Sequence, residues 1–119
     1  MADGGTRHSN RWSCGPAAGR ADLSRTGALV IRLAGELDLS NAAALAGWLA
    51  GLAADEIVLD LTDVRYLAAC GAREVGAFVT LVTARGARLR VVEPAEPLVR
   101  QVLSLAGALV PDPSGGAPP

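Results

Sequence analysis

Three side chains in this 119-residue sequence carry groups that a catalytic or redox site would need. The carboxylates of Asp38 and Asp60 could act together as a general acid and a general base. The thiol of Cys70 lies where a helix is predicted to begin, and a helix N-terminus raises the reactivity of a thiol. The sequence offers no nucleophile, ligand cluster or substrate cradle to complete a site around the two carboxylates. We therefore do not favour a catalytic site formed by Asp38 and Asp60, and we predict no cofactor and no metal.

Each of these side chains also has a structural interpretation, which we favour. Asp38 is of a residue type that is at home in an Asx turn or beside the start of a helix. Asp60, at the end of a predicted strand, would accept hydrogen bonds from backbone N–H groups. Cys70 is similar in size to Ser and would pack well when half-buried. A thiol-based sensor at Cys70 stays open as an alternative, in which oxidation would place a polar group at the protein surface.

The elements that must position these side chains can be read from the spacing of apolar residues. Short apolar runs predict five strands, at residues 21–25, 28–33, 56–61, 88–92 and 109–110. Helical spacing predicts three helices, at residues 41–52, 71–85 and 97–106. Ser40 is the expected N-cap of the first helix. Because strands and helices alternate, we predict a single α/β domain with a mixed, mostly parallel sheet of four to five strands and packed helices, in the order ββαβαβα(β).

Each predicted helix has an apolar stripe that should face the core. The members of the three stripes, in chain order, are Leu45, Trp48, Leu49 and Leu52, then Val75, Phe78, Val79 and Val82, then Leu98, Val99, Val102 and Leu105. The chain has only four aromatic residues, so its core must be built from Leu, Val and Ala.

Composition and charge exclude several classes of function. Residues 22–110 contain eight Arg and ten acidic residues, whereas a nucleic-acid surface needs clustered basic charge, so we predict no nucleic-acid partner. The longest apolar run, residues 42–54, has 13 residues and is too short to cross a bilayer, so we predict no direct membrane insertion. No secretory signal is recognisable, and the predicted localisation is cytoplasmic.

The composition also predicts how the chain is divided. Residues 1–20 are rich in Gly, Ser and Arg without periodicity, which predicts a disordered leader. Residues 21–110 are the predicted domain, and the Pro- and Gly-rich residues 111–119 are a predicted disordered tail. Cys14, in the leader, is not expected to form a disulfide with Cys70.

Three segments resemble the STAS family, the bacterial anti-sigma-factor antagonists. They are residues 30–38, which end in Gly-Glu-Leu-Asp, residues 60–71, with the pattern Leu-Thr-x-Val-x-x-Leu, and residues 99–109. The resemblance implies a protein-binding module with a STAS-like fold, and not an enzyme. Family members dock on an anti-sigma factor that is also a histidine-kinase-like serine kinase, and so release the sigma factor. Phosphorylation of a loop Ser, within the family pattern Asp-Ser-Ser/Thr-Gly, abolishes this docking.

The chain departs from the family at this phosphorylation loop. Ala68 stands at the acidic position and Ala69 at the phosphoacceptor position, so the regulatory hydroxyl is missing. We therefore predict partner switching without the usual phosphorylation, by a permanently active antagonist. The alternative is an adaptor subunit of another complex, such as a transport system. The partner-binding residues that the resemblance implies are Asp38, Ser40, Ala68, Ala69, Cys70, Gly71, Ala72 and Arg73.

Overall fold

The computed structural model describes residues 9–105. Its elements are β1 (Ser9–Cys14), β2 (Ala17–Leu23), β3 (Leu29–Leu37), α1 (Ala42–Ala50), β4 (Glu56–Leu67), α2 (Ala69–Ala84), β5 (Arg88–Val92) and α3 (Pro97–Leu105). The strands form one sheet in chain order, β1 to β5. β2 pairs with β1 and β3 in antiparallel fashion, while β4 pairs with β3 and β5 in parallel. The predicted α/β fold class with a mixed sheet is confirmed.

The core lies on one face of the sheet. In β2 the buried residues Ala17 and Ala21 alternate with exposed ones such as Arg20, and in β4 Ile57 and Leu59 alternate with half-buried neighbours. Because successive side chains of a strand point to opposite faces, the buried side chains of each strand lie on one face of the sheet. The helices contribute the remaining core residues and therefore pack on that face. Among residues 9–105, no helix covers the other face of the sheet.

The expectation that residues 1–20 form a disordered leader is wrong for residues 9–20. These residues form β1 and the first part of β2. The strand is held by a contact that sequence periodicity cannot reveal, because it joins distant parts of the chain. The indole of Trp12 stacks on that of Trp48 in α1, with ring centroids 5.9 Å apart and an angle of 16° between the ring planes. The Trp48 Nε1–H also donates to the Asn10 side chain, at 3.1 Å.

The described chain therefore begins with three strands, in the order βββαβαβα, where two were predicted. The predicted final strand at residues 109–110 and the predicted tail at 111–119 lie outside the described residues, as do residues 1–8.

β4 is twice as long as predicted, since it continues past Leu61 to Leu67. Its buried residues follow a period of two as far as Leu61 and then a period of three through Val64 and Leu67. The change of period coincides with irregularities in the pairing of β3 with β4. A bulge of this kind keeps apolar residues on the core side while the strand bends. It also obscures the strand in the sequence, because strict alternation is lost.

The predicted stripes of α1 and α2 are confirmed, with all members buried except the half-buried Trp48. In α3 the prediction is only partly right. Val99 and Leu103 face the core, whereas Leu98 and Leu105 are 72% and 82% exposed. Leu98 and Leu105 lie at one edge of a broad apolar stripe. Contact with β4 and α2 turns the other side of the stripe, which carries Val99 and Leu103, toward the core.

Candidate functional site

The predicted site lies where β3 and β4 end side by side. Leu37, the last residue of β3, pairs with Leu67, the last residue of β4. The Ala68 N–H then donates to the Leu37 carbonyl oxygen, at 2.8 Å. This hydrogen bond holds the start of α2 against the loop that follows β3. We call the exposed surface of residues 38–40, 68–70 and 73 the β3–α2 face.

Ala68 is the N-cap of α2, with φ −77° and ψ 160°. This extended conformation is the one that a capping Asp or Ser adopts, but Ala68 makes no side-chain capping hydrogen bond. Ala69 follows as the first residue of the helix and is exposed. The backbone at Ala68 therefore has the shape that a capping side chain would need, while the side chains of Ala68 and Ala69 are methyl groups.

Gly71 and Ala72 belong to the packing of α2 against the sheet and not to the surface. A Cβ on Gly71 would lie 3.0 Å from both the Cβ and the carbonyl oxygen of Leu37, so any other residue would force these atoms apart. Ala72 is 0% exposed, so it lies in the core and not on the binding surface that the resemblance implies for it. Residues i and i+3 or i+4 share a helix face, and Ala72 shares the inward face with the buried Val75.

The other two predicted residues of α2 differ in exposure. Arg73 is exposed and belongs to the β3–α2 face. The Cys70 side chain is half-buried, as the packing interpretation predicts.

The loop after β3 is fixed by Asp38. One carboxylate oxygen of Asp38 accepts hydrogen bonds from the Ser40 N–H, at 2.9 Å, and from the Ser40 hydroxyl. This is the Asx turn that the structural interpretation of Asp38 predicts. Ser40 is not the N-cap of α1, because its hydroxyl is used in this turn and the cap residue is Asn41. Leu39, between them, is 83% exposed.

Asn41 is a site residue that sequence reasoning missed. It is 1% exposed, and its side chain makes hydrogen bonds to three backbone groups. Its Oδ1 accepts from the Asp38 N–H, at 3.0 Å, and its Nδ2 donates to the carbonyl oxygens of Glu36, at 2.9 Å, and Cys14, at 3.4 Å. The available signal was Asn directly before the apolar run of α1, which is an N-cap pattern that we assigned to Ser40.

The turn between β1 and β2 lies beside the same loop. The Glu36 N–H donates to the Pro16 carbonyl oxygen, at 3.1 Å. Gly35 adopts φ +90°, and a Cβ there would contact that carbonyl group, so the approach requires Gly. The Cys14 thiol lies 4.0 Å from the Ser40 carbonyl oxygen. Residues predicted to be a disordered leader thus support the β3–α2 face.

An acid and base pair formed by Asp38 and Asp60 is excluded by the register of the sheet. Asp60 lies beside Arg32, whereas Asp38 follows Leu37, which lies beside Leu67. Seven residues of β4 separate the two positions, or about 23 Å of strand. As its structural interpretation predicts, Asp60 accepts a hydrogen bond from a backbone donor, the Thr62 N–H, at 3.0 Å.

An apolar hollow adjoins the β3–α2 face on the side of α3. It has a volume of about 610 Å³ and reaches from Ala69 and Arg73 to Tyr66, Val102 and Leu105. Tyr66 is 52% exposed.

Over residues 9–105 no cluster of three or more His, Cys, Asp or Glu side chains could hold a metal ion. Of the helices in this range, none is both long and apolar enough to span a membrane.

Comparison with known proteins agrees with this architecture. The family model of the STAS domain matches residues 22–109. An anti-sigma factor antagonist from Mycobacterium paratuberculosis superposes with a TM-score of 0.67 at 22% identity, over 81% of this chain and 83% of that one. The anti-sigma factor antagonist SpoIIAA in its unphosphorylated form gives 0.57 at 22% identity, over 76% and 81%. An antisigma-factor antagonist STAS domain from Rhodobacter sphaeroides gives 0.54 at 19%, over 66% and 87%. No curated protein matches the chain.

Proposed function

Because the chain belongs to the STAS domain family, we propose that it is a protein-binding regulatory module that docks on an anti-sigma factor through the β3–α2 face. The solved structures that it resembles include anti-sigma factor antagonists, which supports this class of partner. The proposed partner is a histidine-kinase-like serine kinase, and the proposed outcome is control of sigma-factor-dependent transcription in the cytoplasm. The role is binding and not catalysis.

One observation carries this proposal. Ala69 is exposed at the first residue of α2, at a helix start whose backbone is held against β3 by the Ala68 N–H and by the close approach of Gly71 to Leu37. A surface fixed in this way loses little conformational entropy when a partner covers it. The two Ala side chains present neither charge nor a hydrogen-bonding group that a partner would have to desolvate.

We also propose that the partner kinase cannot release the protein by phosphorylation at this position. Phosphorylation adds nearly two negative charges and the bulk of three oxygens, which would disrupt a close-fitting contact. Ala69 offers no oxygen to receive a phosphoryl group. Docking is then governed by the amounts of the two proteins and not by the kinase reaction.

A binding experiment tests the docking surface. The histidine-kinase-like anti-sigma factors of the source organism are purified and titrated one by one with the wild type, with Ala69→Glu and with Ala77→Glu. Ala77 is exposed in the middle of the same helix and serves as the matched control. We expect one kinase to bind the wild type and Ala77→Glu with similar Kd, and to bind Ala69→Glu at least about tenfold more weakly, since a buried, unpaired charge costs more than 1.4 kcal/mol.

Two results would contradict the proposal. If none of these kinases binds the wild type, the partner class is wrong, and an adaptor role in another complex becomes the better account. If Ala69→Glu binds as tightly as Ala77→Glu, the partner does not cover the start of α2.

A further inference from the structure

Leu39 is the most exposed of the large apolar side chains in residues 9–105, at 83%. It lies two residues beyond Leu37, whose carbonyl oxygen receives the Ala68 N–H. Two residues of chain span at most about 7 Å, so Leu39 lies at the same edge of the sheet as the start of α2. It is the largest apolar group on the β3–α2 face.

A single exposed leucine is common on protein surfaces and needs no explanation by itself. Leu39 differs because the residues on both sides of it are fixed. The Asp38 carboxylate binds the Ser40 N–H and hydroxyl. The Asp38 carbonyl oxygen accepts from the N–H groups of Asn41, at 3.2 Å, and Ala42, at 2.9 Å. These hydrogen bonds therefore restrain the backbone that carries the Leu39 side chain into water.

The loop is also anchored from below by the buried amide of Asn41. A buried amide destabilises the protein unless its donors and acceptor are satisfied. The Asn41 amide meets this condition. Its oxygen accepts from Asp38 in the loop, and its nitrogen donates to Glu36 in β3 and to Cys14 in β1. No side-chain donor or acceptor that is buried in the described part of the chain lacks a partner. The fold thus uses a buried polar group to immobilise a surface loop whose tip is apolar.

We propose that Leu39 is the apolar anchor of the β3–α2 face, and that Asn41 is the positioning residue that holds it ready for the partner. This inference rests on the proposed function and names the contact that the anti-sigma factor makes: an apolar pocket on the kinase takes up the Leu39 side chain. An anchor that is already ordered adds the free energy of apolar burial without the entropic cost of ordering a loop.

The anchor is tested with Leu39→Ser against Leu23→Ser. Leu23 is the same residue type, is 43% exposed, and pairs with Leu29 at the opposite end of β3. Eight residues of strand, or about 26 Å, separate that end from Leu37. The Kd of each variant is measured for the kinase that binds the wild type. We expect Leu39→Ser to weaken binding about tenfold to a hundredfold, as burial of a leucine side chain implies, and Leu23→Ser to change it less than about twofold.

The positioning role is tested with Asn41→Ala and, if that variant does not fold, with Ser40→Ala, which loosens the loop without touching the buried amide. Amide hydrogen exchange in the free protein should become faster at residues 38 and 40, and the Kd should weaken at a temperature at which the variant is fully folded. A purely structural role would lower the Tm and leave the Kd of the folded protein unchanged.

The outcomes separate the inference from the proposed function. If the wild type binds a kinase and Leu39→Ser binds it equally well, the anchor is refuted while the proposed function stands. If the Kd of the folded Asn41→Ala and Ser40→Ala variants equals that of the wild type, the positioning role is refuted. If no anti-sigma factor binds the wild type, the proposed function fails and the anchor fails with it.

Discussion

The uncapped start of α2 gives a quantitative prediction for Ala68→Asp. Ala68 already has the extended φ and ψ angles of an N-cap residue, and it makes no side-chain capping hydrogen bond. A carboxylate at this position can accept from the backbone N–H groups of the first turn, which have no intrahelical partner. Since the backbone need not move, the substitution should stabilise the protein.

The size of the gain follows from capping energetics. Replacing Ala by Asp at an N-cap raises the free energy of unfolding by about 1 kcal/mol, within a range of about 0.5 to 2. This value includes the favourable interaction of a negative charge with the helix dipole. For a domain of roughly this size, about 1 kcal/mol raises the Tm by about 4–8 °C. Ala77→Asp, in the exposed middle of α2, is the matched control. It should lower the stability by about 0.5 kcal/mol, because Asp is a weak helix former.

Thermal unfolding at two pH values checks the cause as well as the size. The introduced carboxylate is stabilised in its ionised form, so its pKa in the folded protein lies below its unfolded value of about 3.9. The gain is therefore fully present above that value and is lost as the pH falls through the folded pKa. The Tm difference between Ala68→Asp and wild type should be positive at pH 7 and vanish near pH 2. No gain at pH 7, or an equal gain at both pH values, would refute the assignment of Ala68 as an open N-cap.

Three further predictions concern the fold that supports the face. Gly35→Ala should lower the free energy of unfolding by at least about 2 kcal/mol in urea, because φ is +90° and the new Cβ would contact the β1–β2 turn; a loss under 1 kcal/mol would contradict this. Denaturant unfolding checks the orientation of α3. Leu103→Ala should lower the free energy of unfolding by about 2–5 kcal/mol and Leu98→Ala by less than about 0.5. Similar losses for the two variants would show that the assigned faces are wrong. In Gly19→Ala the new Cβ would lie 2.6 Å from the Trp48 ring and would displace it from Trp12. The near-ultraviolet circular dichroism of the stacked indoles should therefore change, and an unchanged spectrum would contradict the stacking.

Much of the fold could be predicted because most elements carry a local signal. The stripe of α2 has the full helical period and is followed by Gly86, whose φ of +86° closes the helix, and it was predicted almost to the residue. β1 was missed because its residues are mainly polar and because the contact that joins it to α1, between Trp12 and Trp48, spans 36 positions of sequence. Contacts of that range are fixed by tertiary structure and leave no periodicity in the sequence.

The candidate site could be predicted in position but not in detail. The strand-to-helix junction at Ala68 and Ala69 lies where the resemblance implied. The burial of Ala72 and the role of Asn41 depend on how α2 and the β1–β2 turn meet the end of β3. Ala is common on both the buried and the exposed sides of helices. Whether an Ala in the first turn faces the core is therefore known only once the orientation of the helix is known.

The central claim is that the β3–α2 face binds a kinase that cannot modify it at Ala69, and one measurement tests this directly. Complexes of the cognate kinase with the wild type and with Ala69→Ser are incubated with ATP, and both the mass of the released protein and the bound fraction are followed over time. We expect the wild type to gain no phosphate and to stay bound, while Ala69→Ser gains one phosphate and dissociates. A wild type that is phosphorylated and released at the rate of Ala69→Ser would contradict the account.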